Sequence, residues 1–331
     1  MDIKKRLLNT LFLCLIAASS AIYAKSDLPN LSTRASAEPK TVTTSLSFLY
    51  LQPSETVDWA FTTSTKPNKF KTAYKTFSFD WAPGYRIGLG YNMLHDHWDT
   101  KASYTWFQSK AKSKTKGAVT SAFLGGRLSL LEPFETGKGS LNMTFNMFDW
   151  DLGRSFLISE HFIVRPLIGA RGGWINQTIH SYWTKRRFLD LFFISARENI
   201  KHRFKGIGPK GGFHSKWCFG DIQKATFSII GEVETSYLWG HWSIEDKYFD
   251  NLSTQISIRT ANRNFGAFVL RSFLGLRWDA NFNCDTYHFS SKLGLDIENF
   301  FDQFQIFSNT SGSQNNNLIL QGLSASARLD F

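Results

Sequence analysis

The chain has 331 residues, with 38 Lys and Arg against 27 Asp and Glu, a formal net charge of +11, and 3 cysteines. So few cysteines exclude a disulfide-scaffolded fold, and a chain of this length carries an ordinary core without staples. The anomaly is aromatic content: Phe, Trp and Tyr make up 16% of residues at a mean hydropathy of only -0.23, which implies a structure with two sharply different faces.

Residues 1–24 read as a cleaved secretory signal. Lys4, Lys5 and Arg6 precede an apolar run from Leu11 to Ala18 and then small residues, with cleavage expected after Ala24 or Ala21. The run is far short of the ~20 residues a spanning helix requires. Removal lowers the net charge from +11 to +9 and discards Cys14. Export excludes nucleic acid as the partner of this basic chain. Residues 25–42 form a lead-in.

From there apolar residues fall on alternate positions in ten segments. The first runs from Thr43 to Leu51. The second sets Tyr85, Ile87, Leu89, Tyr91 and Met93 against Arg86, Gly88, Gly90 and Asn92, and the third sets Trp98, Ala102, Tyr104 and Trp106 against Asp99, Lys101, Ser103 and Thr105. In the fourth, Leu141, Met143, Phe145 and Met147 oppose Asn142, Thr144 and Asn146. Phe162 to Trp174 and Phe204 to Phe219 follow, then Ile229 to Trp239 with Glu232 and Glu234 between, and Phe268 to Trp278 with Arg271 and Arg277 between. Tyr287 to Ile297 carries Lys292 and Asp296, and the chain ends with Leu323, Ala325, Ala327, Leu329 and Phe331 against Arg328 and Asp330.

Segments of roughly 9 to 16 residues suit a tilted bilayer crossing better than the ~5–6 typical of soluble sheets. Trp98 and Trp106 lie eight residues apart, an axial rise on the order of 20 Å at a tilt of about 40°, close to the spacing of aromatic girdles. Short connections near 94–97, 154–160, 220–224 and 280–285 alternate with long ones near 53–84, 108–139, 177–203, 241–262 and 301–317. The expectation is an all-β protein: a single antiparallel up-and-down transmembrane β-barrel over 43–331, of about ten strands. Twelve would result if 43–81 added a hairpin through Phe77, Phe79 and Trp81. It places the chain in a Gram-negative outer membrane with both termini periplasmic. Leu329 and Phe331 form the C-terminal signal for the barrel-assembly machinery.

Several stretches carry more than alternation. PGYRIGLGYNMLHDHWD at 83–99, YTWF at 104–107, LGRSFLISEHFIVRPLIGARGGWINQ at 152–177, GIGPKGG at 206–212, LWG at 238–240, LGLRWD at 274–279 and LQGL at 320–323 resemble the major-outer-membrane-protein-like barrels of Legionella and chlamydia-like bacteria. The resemblance implies an outer-membrane barrel with a porin or surface-structural role. Members often carry more cysteines than the two left here, so it does not extend to a cross-linked envelope network.

Alternation puts Arg86, Lys101, Arg165, Arg171, Arg271, Arg277, Lys292 and Arg328 inside with Asp99, Glu232, Glu234, Asp296, Glu298 and Asp330. Eight cations against six anions predict a weak anion preference if the lumen is open; pairing that plugs a narrow barrel is the alternative. Basic stretches at 69–75, 110–116 and 184–205, the last including Lys185, Arg186, Arg187, Lys201 and Arg203, are assigned to external loops facing lipopolysaccharide or other polyanions, or simply solvent. Phe188, Leu191, Phe192 and Ala196 fall at helical spacing, which predicts a short rim helix.

His95, Asp96, His97 and Asp99 have the chemistry of metal or catalytic ligands, but the topology puts them in a short turn. No nucleophile elbow, phosphate loop or zinc spacing occurs, so neither enzyme activity, cofactor nor metal is expected. Cys218 and Cys284 fall near the same end; a disulfide, two thiols and intermolecular bonds all remain open. The expected function is passive diffusion of small hydrophilic solutes. The competing class is a non-conducting surface protein or adhesin, and oligomeric state stays open.

Overall fold

The alternating segments are strands, and in the computed structural model they run well past their lipid-facing stretches. The structure describes residues 42–331 except 67–68, 94–96, 124–132, 187–192, 223–224, 252–254, 283–286 and 309–311. In chain order the strands are β1 (Val42–Ser54), β2 (Asp58–Lys66), β3 (Lys69–Thr76), β4 (Ala82–Asn92), β5 (Trp98–Ser121), β6 (Phe134–Arg154) and β7 (Phe156–Ser159). They continue as β8 (Phe162–Arg186), β9 (Phe193–Ile222), β10 (Ala225–Asp250), β11 (Gln255–Phe282), β12 (Tyr287–Ser308) and β13 (Gly312–Asp330).

Ten of them close an antiparallel ring. β1 pairs β4 on one edge and β13 on the other, and from β4 the ring passes through β5, β6, β8, β9, β10, β11 and β12 back to β13. Closure removes every free sheet edge, the condition a spanning sheet must meet where no water can satisfy the backbone. The last strand completes the wall: Thr43 stands opposite Asp330 and Ser54 opposite Ile319, while Val42 and Phe331 exchange backbone hydrogen bonds of 3.1 and 3.3 Å.

The hairpin anticipated within 43–81 exists as β2 and β3, but it leaves the ring at ten strands. It holds to the far end of β5 through Ala60, Phe61 and Thr62. The ring therefore has a terminal end, with both strand termini and the short turns, and a loop end that carries the hairpin. At the terminal end Met93 N–H donates to the Trp98 carbonyl at 2.8 Å across the turn, and His97 sits at φ 56°, the left-handed conformation such a turn demands.

Outward side chains of the terminal half are apolar. Leu89 is 65% exposed and Ile168 66%, values tolerable for large aliphatics only against lipid. Trp217, Phe219, Trp278 and Tyr287 edge this band toward the terminal end, and Tyr50, Trp106, Trp174 and Trp239 edge it toward the loop end.

Above the second belt the polarity of most wall strands inverts; β4 ends at the belt with Ala82. On β10, Phe227 to Trp239 point out with Glu232 and Glu234 inside; farther along, Trp242, Ile244 and Tyr248 are buried while Ser243, Glu245 and Lys247 lie outside. On β6, Phe148 and Trp150 are half exposed and Asp149 and Asp151 buried, whereas Leu141, Met143, Phe145 and Met147 are all inside. This corrects the lipid-facing assignment of those four. The strand has left the bilayer, so its outer face meets water and its inner face meets other side chains.

The same inversion accounts for the missing long loops. Segments 108–121, 134–139, 177–186 and 193–203 are strand, not loop, because polar outward residues are as stable there as apolar ones are below. Ala196 lies within β9, so the rim helix is not formed at that position, and Phe188, Leu191 and Phe192 fall outside the described residues.

Candidate functional site

The interior is the place where function would be carried, and it has two layers. In the terminal half it is a web of ion pairs. Arg271 on β11 reaches Asp296 at 3.0 Å, Glu234 at 3.2 Å and Glu232 at 3.6 Å. Arg86 adds a contact to Asp296 at 3.3 Å. Arg171 binds Asp149 at 3.1 Å and Glu298 at 2.5 Å, Lys292 binds Glu232 at 2.7 Å, and Arg165 is paired with Asp99. Nearer the chain ends Arg277 meets Asp279 at 2.7 Å and Arg328 meets Asp330 at 2.6 Å. Lys101 is half-buried within electrostatic range of Lys292, Glu232 and Asp151.

The charged residues that alternation assigned to the interior lie inside, whereas the β6 parity of Asn142 and Thr144 is reversed. The sequence argument missed Lys210, which contacts Asp151 at 2.8 Å, Glu234 at 3.0 Å and Asp149 at 3.3 Å. It also missed His214 on Glu234, Lys216 on Asp279, and His288 on Asp330 and Asp279. Asp149, Asp151 and Asp279 against Lys210 and Lys216 add three anions and two cations to the expected six and eight, so the web is close to balance.

His214, Glu232 and Glu234 place three ligand atoms within 4.8 Å of one another, a donor set of the right kind for a divalent cation. Its carboxylates are already engaged by Arg271, Lys210 and Lys292. A metal would have to displace cations held by the wall itself.

The second layer is apolar and lies toward the loop end. One contiguous cluster draws buried side chains from every wall strand except β4, whose Ala82 packs against it. The hairpin and its flanks supply Val57, Trp59, Phe77 and Phe79. Trp59 stacks on Trp183 at 5.2 Å and on Phe77 at 5.6 Å, and Phe204 lies 4.5 Å from Trp242. Gly139 of β6 makes the stack possible: a Cβ there would stand 2.9 Å from both the Phe77 and Trp59 rings. Where the layers meet, a void of about 10 Å³ lies between Leu49, Phe107, Phe145, Leu320 and the Arg86–Asp296 pair, room for about one water.

Glu55 and His202 are among the titratable groups buried in the apolar layer, beyond the lipid band. Burial pushes the Glu55 carboxyl up to about 8, offset in part by the hydrogen bond it accepts from Gln177 at 2.5 Å. Burial lowers His202 to about 3; its Nε2 accepts the Gln305 backbone N–H at 3.3 Å and its ring packs on Phe304. Both are neutral at physiological pH.

Of the remaining candidates, Leu329 and Phe331 point outward at the terminal end. Lys201 and Arg203 are exposed on the outer face of β9, in strand rather than loop. Lys185 and Arg186 end β8, and Arg187 lies outside the described residues. Cys218 is a free, half-buried thiol on β9, while Cys284 lies outside the described residues. So do His95 and Asp96. Asp99 is committed to Arg165 and His97 to the turn.

A closed ten-strand barrel with an apolar outer band and a charged interior is an outer-membrane β-barrel protein. Residues 35–331 match the family described as Legionella pneumophila major outer membrane protein precursor, and the chain belongs to that family. No curated protein is significantly similar to it. Among solved structures, the Escherichia coli outer membrane protease OmpT is similar at 10% identity over 88% of this chain and 97% of that one, with a TM-score of 0.45. The CymD monoaromatic hydrocarbon channel is similar at 10% identity, covering 89% and 90%, TM-score 0.35, and the P. putida toluene transporter TodX at 8%, covering 89% and 91%, TM-score 0.27. At such scores the likenesses carry no statement about activity.

Proposed function

We propose that this chain is a non-enzymatic, wall-forming surface barrel whose interior is closed at rest, with its termini in the periplasm and its loop end outside the cell. The observation that carries this is the filled cross-section. The apolar layer joins nine of the ten wall strands around the Trp59–Trp183–Phe77 stack, and below it the charges pair with one another. A hydrated ion entering this interior would have to break buried ion pairs and then cross a dry aromatic layer, each step costing several kcal/mol.

Small-solute diffusion is the second reading, favoured by one feature: two of the three stacked rings, Trp59 and Phe77, come from the β2–β3 hairpin and its flank, which are not part of the ring. Withdrawing it would expose the charged layer beneath. The near balance of that layer gives an anion preference little support. The proposal also includes removal of the leader at 1–24 and recognition of Leu329 and Phe331 by the assembly machinery.

The test is single-channel recording of the refolded chain from residue 25 in a planar bilayer under a salt gradient. No steps are expected from the wild type with a heat-modifiable, folded band on gels. Discrete steps from the unaltered barrel would overturn the closed-lumen proposal, and their reversal potential would then measure ion preference.

A further inference from the structure

The outer wall just above the lipid band carries a charge pattern that the closed interior does not use. On β5, Lys110, Lys112, Lys114 and Lys116 occupy successive outward positions, all exposed. On β9, Arg197, Lys201, Arg203 and Lys205 are exposed on the outward parity, interrupted by Asn199. The register places two strands between these ridges: Lys112 faces Ser140, Ser140 faces His180, and His180 faces Asn199. Lys138 on β6 stands beside Lys114, and Tyr182 on β8 beside Arg197, whose guanidinium lies 5.9 Å from the ring centroid.

The floor between the ridges is short and uncharged: Ser140, Asn142 and Thr144 on β6, Asn176 and Thr178 on β8. Below the rim none of the outward residues on these stretches of β5, β6, β8 and β9 is acidic; Glu135 is exposed at the top of β6 beside Thr136, the partner of Lys116, and Glu245 is paired across from Lys201 and bonded to Lys247. The result is a trough about 14 Å wide, from three inter-strand steps of ~4.8 Å, walled by cations on both sides. Its upper part encloses about 480 Å³ between Lys112, Lys114, Lys138, His180 and Arg197.

The trough opens downward onto the bilayer. Lys205 is level with Trp174 in the belt, and Trp106 of the same belt lies four residues below Lys110 on β5. Eight residues from Lys205 to Arg197 rise on the order of 20 Å at a tilt near 40°. That is far taller than one phosphodiester headgroup. A ladder of this height, rooted in the acyl region and free of outward carboxylates below its upper rim, fits an amphiphile whose anionic groups are spread along a tall headgroup.

We propose that the β5–β9 face is a binding site for an acylated, multiply phosphorylated oligosaccharide lipid of the outer leaflet. Its acyl chains lie against Phe148, Trp174 and Ile207, its lower phosphates meet Lys205 and Arg203, and its upper anionic groups meet Lys110, Lys112 and Lys114. Bound this way, the lipid covers a face whose like charges otherwise repel one another. The inference rests on the loop end facing outside the cell, and not on whether the lumen conducts.

The test is native mass spectrometry of the detergent-solubilised, refolded chain with three probes: a bis-phosphorylated acylated glucosamine disaccharide bearing anionic core sugars, its dephosphorylated form, and phosphatidylglycerol. The quadruple variant Lys112→Gln, Lys114→Gln, Lys201→Gln, Arg203→Gln is compared with a control neutralising Lys71 and Arg259, exposed cations on β3 and β11, together with half-buried Lys75 on β3. Exposed pairs are individually weak, so the four together are expected to lower affinity for the phosphorylated glycolipid about tenfold or more. The control should leave it unchanged, and the other two probes should bind at least about tenfold more weakly.

Equal binding by wild type and quadruple variant, equal binding of phosphatidylglycerol, or displacement by millimolar inorganic phosphate would each overturn the site. Sidedness is read separately, by labelling Asn251→Cys on intact cells with an impermeant maleimide in a background lacking Cys218 and Cys284. Labelling supports the outward loop end; its failure would put the face in the periplasm and remove the premise.

Discussion

Replacing Arg271 by Leu removes the cation most densely contacted in the interior. Its guanidinium touches Asp296 through Nε at 3.1 Å and Nη2 at 3.0 Å, Glu234 at 3.2 Å and Glu232 at 3.6 Å, with the side chain only 8% exposed. Three carboxylates would be left: Asp296 with Arg86, Glu232 with Lys292, and Glu234 with His214 and a Lys210 that also serves Asp149 and Asp151. Breaking a buried pair by deleting one member costs about 3–5 kcal/mol, because the remaining charge stays desolvated. Lysine at the same place keeps the charge but loses the two-pronged contact to Asp296, so Arg271→Lys should cost about 1–2 kcal/mol. The pair Arg271→Leu with Asp296→Asn should recover part of the loss. Urea titration of the barrel in lipid vesicles, followed by tryptophan fluorescence, measures all three. If Arg271→Leu stays within about 1 kcal/mol of wild type, water rather than the wall is solvating these carboxylates, and the interior is wetter than a closed barrel allows.

Three further outcomes follow from the apolar layer. Glu55 is protonated in the folded state up to about pH 8, so its raised value makes stability fall as pH rises from about 4.5 toward 8. Glu55→Gln should flatten that slope and raise stability at pH 7 by up to ~3 kcal/mol; an unchanged slope in pH-dependent urea titrations would refute it. His202 has the opposite sign: its lowered value gives stability that is present above about pH 6.5 and lost as pH falls toward 3, and His202→Gln should remove that acid loss while retaining an acceptor for Gln305 N–H. Gly139→Val drives a branched side chain into the space of the Trp59 and Phe77 rings, and Trp59→Ala with Phe77→Ala empties it. Either change should produce conductance steps absent from wild type, and the alanine pair should cost about 3–5 kcal/mol per deleted ring; silent, folded variants would mean that the stack is not what closes the barrel.

The bilayer-spanning half was legible in the sequence because lipid imposes a strict rule: each outward position must be apolar, which leaves the charges only the inside. Arg171, Arg271 and Asp296 were found this way. The half above the bilayer was not, because there the rule reverses while the strand continues without interruption. Lys110 to Lys116 and Lys201 to Lys205 are polar on the outward parity, which imitates a solvated loop, and the buried partners Phe107, Ile200 and Phe204 carry the complementary signal on the other parity. Asp149 and Asp151 marked the error most directly. They share parity with Leu141, Met143, Phe145 and Met147, so assigning those four to lipid sends two carboxylates into hydrocarbon, whereas Phe148, Trp150 and Leu152 on the even parity fit it.

A change of apolar parity within one unbroken strand therefore marks the height at which it leaves the membrane. On β6 the change falls between Met147 and Phe148, on β9 between Phe204 and Ile207, and on β10 between Trp239 and Trp242. Asn146 pairs with Trp174, Trp174 with Lys205, and Lys205 with His241, so the three independent switches lie within a few residues of one hydrogen-bonded row around the wall. A hydrogen-bonded row climbs around a tilted barrel, but over three inter-strand steps of ~4.8 Å at a tilt near 40° the climb is on the order of 9 Å, so the three switches fall within one interfacial zone. That coincidence ties the two halves of the argument together. The same boundary that ends the apolar outer band begins both the aromatic layer inside and the cation ladder outside, so the proposed sealing of the lumen and the proposed grip on the outer leaflet would both follow from strands that continue past the lipid.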